Sequence, residues 1–113
     1  MSKTEKNANQ DLIDQVDYWV KIFESGDHDY DLVDDEALSN HIINEQVMEI
    51  RFVIDSNKDY LGSFLLVGFG GPNIWIDTYE EQVKGYWGGD VVIKSYQDNI
   101  YLNGSVEEVY ECC

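Results

Sequence analysis

The chain has 113 residues, enough for one domain with one modest core, and its 43% apolar and 13% aromatic content is too high for a disordered tract. Twenty-three acids against seven bases give a net charge of −16, with twelve acids and three bases in residues 1–45 and eleven acids and four bases in the rest. Such a charge excludes ready binding to DNA, RNA or anionic membranes, and the lack of any run of 18 apolar residues excludes a transmembrane helix.

The first ten residues, MSKTEKNANQ, lack the apolar region of a secretory signal. Residues 1–8 read as a flexible polar lead-in to a single domain spanning 1–113. Over residues 10–25, Leu12, Val16, Trp19 and Phe23 recur at helical spacing with Ile13 and Val20 beside them, while Asp11, Asp14, Asp17 and Lys21 occupy the other side. This predicts an amphipathic helix, capped by Asn7 or Asn9 and ended by Gly26. Residues 24–36 carry seven acids and no lysine or arginine. Like charges this dense repel, so a solvated loop is expected, running into a short helix over about 35–43 with Leu38, Ile42 and Ala37 facing inward.

From residue 46 the apolar period changes from 3.6 to 2, with Met48, Ile50, Phe52 and Ile54 on one face of a strand. Residues 60–69 are apolar on both faces, as in a central strand covered on each side. NIWIDT, VKGYWG and VVIKSY complete the set, separated by the turn-forming segments SNKD, GGPN, YEEQ and GGD. Short connections imply an antiparallel meander of four to five strands over about 46–96. Leu102, Val106, Val109 and Cys113 return to helical spacing, and Ser105 with Glu108 fits a capping box, so a C-terminal helix is expected over about 105–112, with room for an irregular turn of helix before it. The fold class is α+β, with helices packed on one antiparallel sheet.

Few residues carry the marks of catalysis. Asp27, Asp29 and Asp31 open like a calcium loop, but the required Gly and Glu positions hold Leu32 and Leu38. His28 and His41 have no zinc-ligand spacing. GFGG lacks the lysine and following helix of a phosphate loop. Asp77 and Asp90 follow apolar or glycine neighbours and Glu80-Glu81 lies in a turn, yet no nucleophile, base and orienting group stand at recognisable spacing. The reading is therefore a non-enzymatic protein without cofactor or metal. The only cysteines, Cys112 and Cys113, are adjacent, which excludes a disulfide framework within the chain and suits reduced thiols in a cytoplasm. Trp75 and Trp87 fall on neighbouring strands, where hairpin pairing is expected to set them side by side and pack them against a helix.

GGPNIWID (70–77) and GYWGGD (85–90), ahead of an acidic C-terminal helix, resemble segments of small phage and mobile-element proteins that inhibit bacterial defence systems, of the anti-CRISPR or anti-restriction type. The two segments cover about a fifth of the chain, and no site residue is carried over from them. The resemblance implies an inhibitor in the host cytoplasm that offers carboxylates to a groove built for phosphates. The partner is then a basic surface on a nuclease or CRISPR effector. The expected interface is Asp27, Asp29, Asp31, Asp34, Asp35 and Glu36 with Tyr30 as anchor, extended by Asp14 and Asp17. The alternative is an immunity or adaptor protein that binds a non-nucleic-acid protein through an aromatic patch around Trp75, Tyr86 and Trp87. A small metal-dependent or hydrolytic domain is the third.

Overall fold

The computed structural model describes residues 3–112, with side chains from Gln10 onward. Three helices, α1 (Lys3–Ser25), α2 (Leu38–Glu45) and α3 (Leu102–Glu111), pack with a sheet of β1 (Glu49–Ile54), β2 (Tyr60–Gly68), β3 (Asn73–Asp77), β4 (Gln82–Trp87) and β5 (Asp90–Ser95). The five strands lie in chain order and every neighbouring pair is antiparallel, so the sheet is the expected meander and the class is α+β. Short turns leave no length for any other topology. Among the described residues no helix is long and apolar enough to cross a membrane.

The apolar stripe of α1 is buried as its spacing requires: Leu12, Val16, Trp19 and Phe23, joined by Ile22, lie on β4 and β5. Gly85 permits this approach, since a Cβ there would stand 2.7 Å from Val16 and 2.8 Å from Leu12. Ile74, Ile76, Val83 and Leu65 rise from the sheet into the same core, and Ile42, Leu102 and Val106 close it. Gly26 ends α1 with φ of 77° and returns its N–H to the Ile22 carbonyl at 2.8 Å.

Several boundaries move. The helix α1 begins at Lys3, so most of the expected lead-in belongs to it and Asn7 and Asn9 are not caps; Met1 and Ser2 lie outside the described residues. α2 starts at Leu38 instead of 35, because Asp35 holds a left-handed φ of 65° in a turn closed by the Glu36 N–H on the Val33 carbonyl. Ala37 precedes α2 and is exposed, against the expectation that it faces inward. α3 starts at Leu102, three residues before the expected capping box. Asp98 supplies the acceptors instead: Oδ1 takes the Leu102 N–H at 2.8 Å and Oδ2 the Asn103 N–H at 2.9 Å. Ser105 is thereby inside the helix, where its hydroxyl meets that of Ser39 on α2 at 2.6 Å in a buried contact. Cys112 is exposed at the end of α3, and Cys113 lies outside the described residues.

Among the described residues the helices cover one face of the sheet. β2 lies second from the edge, not in the centre, and the helices pack on the face that carries Leu65. Its other face carries Phe64 and Leu66 toward a side without a second layer of described residues, which corrects the expectation of cover on both sides. Along β1 only Ile50 and Phe52 reach the core, while Met48 and Ile54 are exposed.

Candidate interaction surfaces

The acidic segment is an ordered strap. Residues 27–32 read D-H-D-Y-D-L, and their burial alternates: Asp27, Asp29 and Asp31 are exposed while His28, Tyr30 and Leu32 are half-buried. The alternation sets one side of the segment against the protein and leaves the other presenting carboxylates. The grip is aromatic. Tyr30 stacks on His28 with ring centres 5.7 Å apart and lies 5.0 Å from His41, and its hydroxyl meets that of Tyr18 on α1 at 3.0 Å. Burial, then the bond with Tyr18, pushes the Tyr30 hydroxyl well above its ordinary value. Glu36 turns inward, bonding His41 Nδ1 at 3.3 Å and the Val33 N–H at 3.1 Å.

The nine residues expected at the interface therefore separate. Asp27, Asp29, Asp31, Asp34 and Asp35 are exposed, and among the described residues no lysine or arginine pairs with them. Tyr30 braces the strap from beneath, and Glu36 is engaged with His41. Asp14 is exposed one helical turn before Tyr18, on the side of α1 that the strap meets, and takes a hydrogen bond from Gln10 at 2.8 Å. Asp17 points elsewhere, ion-paired to Lys94 of β5 at 2.6 Å. Between strap and helix runs a cleft of about 420 Å³ lined by Tyr18, Lys21, Ile22, Asp27, His28 and Asp29. The Asp27, Asp29 and Asp31 carboxylates do not converge, and among the described residues no group of three or more His, Cys, Asp or Glu is placed to hold a metal.

The uncovered sheet face forms a second surface of opposite character. Register places Arg51 beside Phe64 and Asp77, and Glu49, Leu66, Trp75, Lys84 and Ile93 in the adjoining row. The Arg51 guanidinium lies over the Trp75 ring at 5.1 Å, and the Lys84 ammonium 5.8 Å from the Phe64 ring. Lys84 also pairs with Asp77 at 3.0 Å. Asp77 is almost fully buried, and its other oxygen takes the Tyr79 and Glu80 N–H groups at 2.9 and 2.8 Å. That arrangement makes Asp77 the organiser of the β3–β4 turn and the anchor of Lys84. Asp90, Glu80 and Glu81 are exposed. Arg51, Phe64, Trp75, Lys84 and Tyr86 line a depression of about 190 Å³, and Tyr86, Val91 and Ile93 extend it as exposed apolar surface.

Trp75 and Trp87 do not lie side by side. Trp75 pairs with Lys84 and shares its face, whereas Trp87 alternates to the other face and is exposed beside Gly71 at the sheet's end. Neither packs in the helix-covered core as expected. Arg51, Phe64 and Lys84 went unremarked in the sequence. The alternation of R-F-V and of W-I-D against V-K-G-Y was the available signal, but register alone tells which strands bring the residues together. Against known proteins, the chain matches no family model, and no curated protein or solved structure is significantly similar to it.

Proposed function

We propose that this is a non-enzymatic inhibitor that binds a nucleic-acid-processing protein, with the aspartates of the 27–35 strap occupying a groove lined by lysine and arginine. One observation carries the reading: five exposed aspartates, without a lysine or arginine partner among the described residues, stand on a strap whose other side is fastened by Tyr30, His28 and His41. A fastened strap loses less conformational entropy on binding than a free acidic loop, so more of the electrostatic attraction remains as affinity. Each exposed ion pair contributes only about 0–1 kcal/mol, so several must act together, and they govern association rate and salt dependence first. Restriction endonucleases and CRISPR effectors, or other nucleases, are the partners whose grooves have the required charge. The phage or mobile-element origin suggested by the 70–77 and 85–90 segments belongs to this proposal, as does a host-cytoplasmic location.

The test is competition. Labelled DNA bound to a panel of restriction endonucleases and CRISPR effectors is titrated with the protein at several salt concentrations. Displacement is expected to weaken steeply as salt rises, and to be lost when Asp29, Asp31, Asp34 and Asp35 are together replaced by lysine. Equal displacement by the reversed variant refutes the strap as the contact.

The uncovered sheet face supports a second reading, an immunity or adaptor protein for a non-nucleic-acid partner. Aromatic rings with an arginine and a lysine laid across them are the composition of protein interfaces. On that reading Trp75→Ala abolishes capture, charge reversal of the strap leaves it intact, and salt has little effect.

A further inference from the structure

The two edges of the sheet are treated differently. β1 has Glu49 and Arg51 on one face, Asp55 just beyond its end, and a pairing with β2 that is broken between Val53 and Ile54, where Leu61 of β2 is the extra, bulged residue. Charges and a bulge are the ordinary protection of an edge strand against pairing. β5 has no such irregularity: its six residues pair with β4 in unbroken register, from Gln82 opposite Ser95 to Trp87 opposite Asp90. Its outer side carries no backbone hydrogen bond to any other described segment, and Val91 and Ile93 are about half exposed.

The order of residues in β5 makes it complementary to itself. In D-V-V-I-K an antiparallel copy centred on Val92 sets Asp90 opposite Lys94 of the second copy, Val91 opposite its Ile93, and Val92 opposite Val92. Two-fold symmetry repeats each pair, giving two cross-strand ion pairs on the helix-covered side and two apolar pairs on the uncovered side. Lys94 is already held by Asp17 at 2.6 Å with its side chain 43% exposed, so its ammonium is in place to take a second carboxylate. We infer that β5 is a self-association edge, joining two copies of this chain antiparallel into one ten-stranded sheet. The partner is a second copy and not an arbitrary extended peptide, because the charge order D…K is satisfied by its own reversal. This inference does not depend on the inhibitor reading.

Net charge works against the association. Two molecules of −16 repel at low ionic strength, so the dimer is expected to strengthen as salt is raised to about 0.15 M, where screening acts beyond about 8 Å. Sedimentation equilibrium of the full chain, from micromolar to near-millimolar concentration at low and physiological salt, reads this directly. Ile93→Lys, and separately Val91→Lys, is expected to raise the dissociation constant at least about tenfold with the melting temperature held as a control for folding. Asp90→Lys and Lys94→Asp each place like charges opposite one another in a homodimer, yet complement each other when mixed. The mixture is therefore expected to form heterodimers that neither variant matches alone. A monomer under all conditions overturns the inference. So does a dimer indifferent to both lysine substitutions, or a mixture no more associated than its components.

Discussion

The strap over residues 27–35 and the uncovered face of the sheet are built in opposite ways. On the strap no aspartate pairs with a lysine or arginine among the described residues, and the backbone is fastened by rings beneath it. On the sheet face the charges are consumed: Arg51 by Glu49 and the Trp75 ring, Lys84 by Asp77 and the Phe64 ring. A molecule of −16 has thus placed two of its seven bases on one apolar face and left the strap's aspartates without a lysine or arginine partner among the described residues. Charge that is unpaired is available for a partner, and charge that is paired stabilises the fold. The strap is accordingly expected to respond to salt and the sheet face to side-chain volume.

This contrast can be broken by stability measurements alone. The largest effect is expected at Lys84→Met, which leaves the almost fully buried Asp77 carboxylate without its cation and should cost about 3 kcal/mol in denaturant unfolding; the strap substitution Asp31→Asn should stay within about 0.5 kcal/mol. If the two changes cost the same, the distinction between paired and unpaired charge fails. Gly85→Ala is expected to cost about 2 kcal/mol, because the added methyl meets Val16 and Leu12 in the covered core. Changing Asp27, Asp29, Asp31, Asp34 and Asp35 together to Asn should stabilise the protein by about 1 kcal/mol at low salt, with the gain vanishing near 1 M salt. A gain that persists in high salt would mean that the strap's carboxylates are not repelling one another.

A further effect concerns Tyr96, whose hydroxyl is buried without a hydrogen-bond partner among the described residues. Tyr96→Phe should be neutral to stabilising by about 1 kcal/mol. Burial, and then the negative charges of Asp98, Glu81 and Asp77, raise this hydroxyl above its ordinary value of 10.0. A raised value means the folded state keeps a proton that the unfolded state releases, so stability is fully present below pH about 10 and falls as the pH rises beyond it. The melting temperature of the wild type should drop above that pH, and Tyr96→Phe should shallow the drop. Tyr30, shifted in the same direction, adds to the drop.

Much of the molecule was legible in one dimension. The spacing of Leu12, Val16, Trp19 and Phe23, the change of period at residue 46, and the turns at 55–59, 69–72, 78–81 and 88–89 determine the helix, the five strands and their meander, because local period and short connections leave one simple arrangement. The acidity of the strap and the missing calcium-loop positions at Leu32 and Leu38 were equally visible. What tertiary structure decided is which side chains meet. Asp98, and not Ser105, caps α3; Tyr18 reaches across to Tyr30; Lys84 is drawn to Asp77; and Trp75 and Trp87 face opposite ways. Each depends on register or on contact between segments distant in the chain, and sequence spacing carries information only about neighbours along it. For the same reason the covered face of the sheet could not be told from the open one in advance: both are apolar in β2, and the docking of the helices, α1 on Gly85 of β4 and α3 on β2, distinguishes them.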